Sequence, residues 1–321
     1  METQKQHGAS AIMTDTNSAH EMAGTYNRNV FKLFIQLIRV KQWIKNGFVF
    51  VPLLLLFALP SLGQIRNCIL GAFLFCLISS AVYIMNDIVD VEKDRTHPVK
   101  KMRPIASGVI SVGVAYILLG CLLAGALLAA FLFDKTVAFL LACYFVMNIA
   151  YSFFLKKIMY VDVFTISMGF LIRVGVGFRV LHLSMDDTVN LWFAVFVVFL
   201  TLFIGMGKRH NELKMLGGDS SDFRQSLSEC SMEQLDQIMN ILMTCTIMSY
   251  TMFVFQTQRP LLFITLPLLL YSIFRYHFLE NKTDLLGSPE MIIYKDAPIR
   301  WCILLWAVLL VGICVGQAYF M

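Results

Sequence analysis

Nine apolar stretches, each about 20 residues long, leave few folds open to this chain. They run over about 47–65, 67–86, 109–132, 136–155, 161–181, 190–207, 238–256, 260–279 and 299–320. A hydrocarbon core about 30 Å thick takes roughly 20 residues of α-helix, so each stretch can span a membrane. Unbroken runs mark helices, whereas membrane barrels alternate over shorter segments. Charged residues are only 15% of the 321, and hydrophobic ones are 58%. A soluble globule could not cover that much apolar surface. The chain reads as an all-α integral membrane protein with nine transmembrane helices. Pro52 in the first span and Pro267 in the eighth are expected to kink them.

Charge placement sets the orientation. Nine spans divide the connections into two sets, and 19 of the 26 Lys and Arg fall in the set that includes the N-terminal 46 residues. The other set holds only Arg66, Lys135 and Arg259. Excess basic loops face the cytoplasm. The N-terminus and the long polar loops are therefore expected on the cytoplasmic side of the inner membrane, with the C-terminus opposite.

Residues 1–28 are polar and read as a disordered cytoplasmic tail rather than a signal peptide. The rest, 29–321, reads as one membrane domain. It opens on an amphipathic helix over about 30–45 (FKLFIQLIRVKQWIKN), which mixes bulky apolar residues with Lys32, Arg39, Lys41 and Lys45. Such a helix lies in the interface as an anchor or as part of a lipid head-group site. The eight cysteines are scattered without metal spacing and read as packing residues. No basic patch with interleaved aromatics suggests a nucleic-acid partner.

The chemistry is concentrated on the cytoplasmic face. Asn86-Asp87-Ile-Val-Asp90-Val-Glu-Lys-Asp94-Arg95 follows the second span. On a continuous helix Asp87, Asp90 and Asp94 share one face within about 60°, with the outer two about 10 Å apart along the axis. Three carboxylates that close repel one another unless a cation sits among them. Hard oxygen donors suit magnesium carrying a diphosphate. The alternative is an ordinary solvated helix end. Arg95, His97, Lys100, Lys101 and Arg103 follow at once, which suits a phosphorylated substrate.

Tyr151, Lys156 and Lys157 close the fourth span, and Asp162 opens the fifth. Arg173, eleven residues on, falls on the face of Asp162, so Asp162 has either Lys156 or Arg173 as an expected partner. Arg179 is expected to snorkel outward. The sixth span ends in Gly207-Lys208-Arg209-His210-Asn211-Glu212, a second cationic mouth, and the last loop adds Lys295 and Asp296. His182 and His277 read as packing residues. Phosphate-loop, zinc-protease and serine-hydrolase motifs are missing from the sequence.

The string Asn86-Asp87-x-x-Asp90-x-x-x-Asp94 resembles the UbiA superfamily of intramembrane prenyltransferases. The longer stretches VKQWIKN (40–46), NDIVDVEKDRTHPVKKMRPIASG (86–108), YSFFLKK (151–157), GKRHNEL (207–213) and SPEMIIYKD (288–296) are similar to its decaprenyl-phosphate phosphoribosyltransferase branch. The resemblance implies transfer of 5-phosphoribose from phosphoribosyl diphosphate to a polyprenyl phosphate, with diphosphate released. The product would feed lipid-linked arabinofuranose. It also implies that Asn86, Asp87, Asp90 and Asp94 hold Mg²⁺ and the donor's diphosphate. Arg95, His97, Lys100 and Arg103 would line the donor pocket with Lys208 and Arg209 nearby. Lys41, Lys45 and Lys156 are candidates for the lipid phosphate, and Tyr151, Asp162 and Arg173 for the same polar region.

One departure bears on the substrate. Aromatic prenyltransferases of the superfamily carry a second DxxxD motif after the fourth span, and here that stretch is Asp162-Val-Phe-Thr-Ile166, with one aspartate. A prenyl monophosphate needs fixed positive charge, whereas a magnesium-bound diphosphate needs carboxylates. Phosphoribosyl transfer is favoured on that ground. The nearer alternative is a UbiA-type enzyme joining a prenyl diphosphate to an aromatic or other acceptor. The further one is a transporter or flippase, which would place polar residues on both faces. Gly175 and Gly177 permit close packing within one chain or between copies, so a homo-oligomer is compatible with the sequence.

Overall fold

The computed structural model describes residues 33–184, 186–215, 231–282 and 295–320. The expected tail, 1–28, and most of the stretch 288–296 lie outside these residues. The helices are α1 Leu62–Val89, α2 Val91–Thr96, α3 Val112–Phe133, α4 Lys135–Phe153, α5 Val161–Val180, α6 Thr188–Met215, α7 Met232–Gln256, α8 Leu266–Lys282 and α9 Ala297–Phe320. Short 3-10 turns and one long 3-10 helix supply the other regular structure. Among the described residues every regular element is helical. Among the described residues seven helical stretches are long and apolar enough to cross a membrane.

The stretch expected as the first span, 47–65, folds differently. Val40–Leu55 forms a 3-10 helix of 16 residues, and α1 begins at Leu62. Runs this long are unusual for a 3-10 helix. Pro52 sits inside it and is buried, and proline removes a backbone donor that an α-helix would use. The amphipathic segment is also divided: residues 33–37 are α-helical, Ile38 and Arg39 turn, and the 3-10 helix follows. Pro267 meets the expectation of a break in another form. A 3-10 segment Pro260–Thr265 gives way to α8 at Leu266, which puts Pro267 in a first turn, where its missing N–H costs nothing.

The chain divides into two compact units, Met1–Ile44 with Ser79–Ala124, and Lys45–Ile78 with Gly125–Met321. In the first, Leu37, Ile84, Ile88, Ile105 and Ala115 form a buried cluster flanked by Val112, Leu118 and Leu122. Trp43 Nε1 donates to Ser80 Oγ at 3.0 Å, and Ser80 Oγ donates to the Ile38 carbonyl at 2.9 Å. These bonds fasten the N-terminal turn to the last third of α1.

In the second unit, α4 to α9 pack mostly on chain neighbours, as short connections favour. One core joins Phe193, Phe196, Tyr250 and Phe253 with Leu55, Val174 and Leu310. The Tyr250 hydroxyl lies 2.6 Å from Thr265 Oγ1 and accepts from Trp306 Nε1 at 2.7 Å, so a fully buried phenol is satisfied across three segments. A second core gathers Val163, Phe203, Met206, Leu235 and Ile273. Helix α7 starts with a complete Ser231–Gln234 capping box.

Gly177 is required by packing within this unit. A Cβ there would stand 2.4 Å from the Val49 carbonyl oxygen and 2.8 Å from Pro52 Cγ, so the 3-10 helix rests on the bare backbone of α5. At Gly175 the nearest atom to such a Cβ, Leu140 Cδ1, is 3.9 Å away. Gly177→Ala is expected to cost about 1–3 kcal/mol through overpacking. Gly175→Ala is expected to be neutral or to stabilise by about 0.5–1 kcal/mol. Thermal melting in detergent checks both, and equal midpoints for the two variants would contradict this packing.

Arg179 is exposed but does not simply reach outward. Its Nε and Nη2 donate to both carboxylate oxygens of Asp134 at 2.8–3.1 Å. Asp134 also caps α4 by accepting from the Thr136 and Val137 amides. These donors, the Arg179 guanidinium first, hold the Asp134 carboxyl below the usual carboxylate range. A depressed folded value adds stability above the unfolded value and loses it as pH falls through the folded one. Asp134→Asn keeps a capping side chain and is expected to cost up to about 1 kcal/mol at neutral pH. In melts run downward from pH 6, the gap between variant and parent should close below about pH 3.9.

Candidate active site

Helix α1 ends at Val89 and α2 begins at Val91, so Asp90 stands at a joint, with φ −94° and ψ 10°. That conformation is sparsely populated and recurs in active sites. The helical hydrogen-bond spacing nonetheless carries through, from Asp90 N to Asn86 O at 2.9 Å and from Asp94 N to Asp90 O at 2.8 Å. The expected common face is therefore kept. Asp87 and Asp94 are each only 2% exposed, while Asn86 and Asp90 are half-buried.

Two arginines hold the buried pair. Arg103 Nη1 donates to Asp87 Oδ1 at 3.0 Å and to Asp94 Oδ2 at 2.6 Å. Arg39 Nη2 forms an ion pair with the same Asp87 Oδ1, and its guanidinium lies over the Tyr83 ring, 5.0 Å from the centroid. Arg39 has φ 51°, a left-handed conformation that costs a non-glycine residue on the order of 1–3 kcal/mol. The sequence marked Arg39 only as part of an amphipathic helix. Its position next to the VKQWIKN stretch was the available signal.

The neighbouring basic residues do not all converge. Arg95 is turned to the surface, where Nη1 donates to Glu92 Oε1 at 2.7 Å. His97 Nδ1 accepts from the amides of Val99 and Lys100 at 3.1 and 3.2 Å, which leaves Nε2 as the ring's donor. Lys41 and Lys100 are exposed. Desolvation of its ammonium and the adjacent Arg103 guanidinium hold Lys100 below the ordinary lysine value.

In the second unit, Asp162 and Arg209 form a separate buried pair, with Arg209 Nε 2.9 Å from Asp162 Oδ2. Asp162 Oδ1 accepts from its neighbour Val163 N at 2.7 Å, and Arg209 Nη1 also pairs with Glu212. Tyr151, Lys45, Lys156 and Lys208 are half-buried. Lys156 or Arg173 was the expected partner of Asp162, and Arg209 is a partner that the sequence did not indicate. Arg173 does share the α5 face of Asp162, but eleven residues carry it about 16 Å along the axis. It is 5% exposed and is held by Asn46 Oδ1 at 3.0 Å, Gly169 O at 2.8 Å and Tyr144 Oη at 3.0 Å.

Sequence reasoning missed a further polar group at the end of α6. Glu280 is 1% exposed, and among the described residues its carboxylate oxygens lack hydrogen-bond partners, as does the Tyr276 hydroxyl. Both pack on Gly207, where a Cβ would lie 2.7–2.9 Å from their oxygens. His210 Nε2 stands 3.1 Å from Asp236 Oδ1, and its Nδ1 is 3.7 Å from Glu280 Oε1. Asp296 is committed to structure: it takes both Arg275 bonds at 2.9 Å and accepts from the Ile299 amide at the start of α9.

For a metal, the donor chemistry fits. Among the described residues no group of three or more His, Cys, Asp or Glu converges on one point. Magnesium, however, is usually held by one or two carboxylates with substrate phosphates and water completing its shell. Asp87 and Asp94 are such a pair, and the Arg103 nitrogen already lying between them marks where a cation is stabilised.

A model of the UbiA prenyltransferase family matches residues 48–286. The chain belongs to the UbiA prenyltransferase family. Within it, the chain is 30% identical over 302 residues to a decaprenyl-phosphate phosphoribosyltransferase of Mycolicibacterium smegmatis, covering 87% of this chain and 91% of the relative. It is 28% identical over 289 residues to the Mycobacterium tuberculosis protein of that name, covering 85% and 91%. The UbiA fold is seen in a homolog from Archaeoglobus fulgidus solved with GPP and Mg²⁺, with a TM-score of 0.67, 17% identity, and 88% of this chain and 99% of that one covered. UbiA membership together with the apolar helices makes this an integral membrane transferase of prenyl substrates.

Proposed function

We propose that this UbiA-family enzyme transfers 5-phosphoribose from phosphoribosyl diphosphate to a polyprenyl phosphate, releasing diphosphate, as a step toward lipid-linked arabinofuranose. One observation carries the reading: a buried carboxylate pair, Asp87 and Asp94, bracketed by arginines, in a chain whose long relatives are named for this transfer. The chain is read as nine-spanning in the inner membrane, with its N-terminus and site residues cytoplasmic. The span count rests on the nine apolar stretches, and the orientation on the basic-loop bias.

Asp87 and Asp94, with Asn86 and Asp90 beside them, would hold Mg²⁺, which when bound neutralises the diphosphate's charge. Arg103 and Arg39 would donate to phosphate oxygens, which forked donors suit. His97 Nε2 and Lys100 would add donors from the segment after α2, whereas Arg95 is engaged at the surface with Glu92. In the first unit Lys41 is a further candidate for the lipid phosphate, and in the second Lys45, Tyr151, Lys156, Lys208 and Arg209 are candidates for phosphate groups. The acceptor phosphate is already anionic, so its oxygen attacks the anomeric carbon without a strong general base. Cationic side chains stabilise the departing diphosphate as positive charge grows on the ribose. The prenyl–oxygen bond stays intact.

The test uses purified protein in detergent with Mg²⁺, polyprenyl phosphate and donor labelled in the ribose. Label should enter the organic phase, and EDTA should abolish it. Folded protein that leaves the lipid unlabelled would overturn the reading in favour of transfer from a prenyl diphosphate.

A further inference from the structure

We propose that Arg39 and Arg103 close the carboxylate face to a bare divalent cation, so that metal and the donor's diphosphate enter together. This gate deepens the function proposed above and rests on its assignment of Asp87 and Asp94 as metal ligands.

A single nitrogen, Arg103 Nη1, bridges Asp87 Oδ1 and Asp94 Oδ2 at 3.0 and 2.6 Å. It therefore occupies the place between the carboxylates that a cation would take. Arg39 adds a second guanidinium on Asp87 Oδ1. The two guanidiniums cancel the charge of the two buried carboxylates they cover, so this pair by itself offers a dication no net negative charge. A bare cation that took the oxygens would displace Arg103 and leave it unpaired beside two new positive charges. Like charges that close repel strongly in the reduced dielectric of a half-buried site. An anionic diphosphate changes the balance, because it offers both guanidiniums bidentate partners when they leave the aspartates.

The two arginines are able to make that exchange. Their side chains are 24% and 28% exposed, against 2–3% for the aspartates they cover. The carboxylates form the fixed floor of the cluster, and the guanidiniums form its exposed cover. Arg39 is also held at φ 51° with its guanidinium over Tyr83, so its position is set by the fold rather than reached by a free side chain. Coupling between sites is reciprocal. Whatever factor diphosphate adds to metal affinity, metal adds to diphosphate affinity.

The experiment is binding, measured apart from catalysis. Mn²⁺ is titrated into the purified full-length protein in detergent, alone and with inorganic diphosphate, and protein-bound metal is read by electron paramagnetic resonance against a protein-free control. The wild type should bind Mn²⁺ at least about tenfold more tightly with diphosphate, a coupling of about 1.4 kcal/mol. Arg103→Gln should raise the affinity for Mn²⁺ alone about tenfold and reduce the effect of diphosphate. Arg39→Gln should act in the same direction and more weakly. Arg103→Lys, which keeps a cation but loses the fork, covers the case of a glutamine variant that does not melt cooperatively. Wild-type affinity that is unchanged by diphosphate would overturn the gate and leave the metal ligands standing. Folded wild type that binds no Mn²⁺ under either condition would overturn both. Inorganic diphosphate carries no sugar, so failure of ribose transfer does not affect the result.

Discussion

Asp94→Asn is expected to abolish nearly all transfer, by about 10²–10³-fold in kcat, the usual loss when a group that stabilises transition-state charge is removed. The substitution keeps the size and shape of a side chain that is 2% exposed. It removes one of the two negative charges that hold Arg103. Asp87 remains to pair both arginines, so the guanidiniums stay ordered and the cluster gains one net positive charge. A diphosphate would still be attracted, but its metal would have lost a ligand. The expected signature is therefore a large fall in kcat with a smaller change in donor KM. Asp87→Asn should be at least as severe, because it removes a partner of both Arg39 and Arg103. Melting in detergent separates this from unfolding. If Asp94→Asn kept more than about a tenth of the activity at an unchanged midpoint, Asp94 would be a structural anchor for Arg103 and not a metal ligand.

Asp87 and Asp94 were legible because a seven-residue separation on a helix is nearly two turns, and the backbone keeps that spacing through the joint at Asp90. Arg39 was not. Its pairing depends on a turn with positive φ that brings a residue of the N-terminal segment back onto α1, and periodicity carries no information about such a turn. The expected first span shows a related limit. Its apolar content indicates burial, but it says nothing about which carbonyl each amide will meet. Val40–Leu55 took the 3-10 pattern around Pro52, against an α5 backbone left bare at Gly177. Arg173 was read correctly by angle and less well by depth, since sharing a face with Asp162 is not the same as sharing a site. Glu280 and Tyr276 gave no sequence signal beyond being polar in an apolar helix, and only the packing against Gly207 brought them together.

Arg173→Met is expected to be the most destabilising single change in the second unit. Among the described residues the buried guanidinium has no carboxylate hydrogen-bond partner, and charge of that kind persists in a membrane domain only when other groups replace its hydration. Three neutral acceptors do so, from Asn46, Gly169 and Tyr144. The rings of Phe75, Tyr144 and Phe170 stand 4.8–5.2 Å from the guanidinium carbon. A desolvated cation over an aromatic face gains about 2 kcal/mol, and each hydrogen bond to a charged group about 1.5–3 kcal/mol. These terms are not additive, and desolvation opposes them, so a net loss of about 3–5 kcal/mol is the reasonable expectation. Methionine fills much of the volume but removes the Arg173 donor from Asn46 Oδ1. Asn46 is 1% exposed, and its amide also donates to Cys76 Sγ at 3.2 Å, so it cannot turn to water. The double variant Asn46→Leu with Arg173→Met tests that point. If loss of the Arg173–Asn46 bond carries the cost, the second substitution should recover about 0.5–3 kcal/mol, the coupling seen between residues of one network. Arg173→Lys should fall between, because an ammonium cannot reach three acceptors as a planar fork does. Should Arg173→Met melt with the wild type, the cage would contribute nothing to stability, and a cation kept inside α5 at such desolvation cost would have to be explained by catalysis instead.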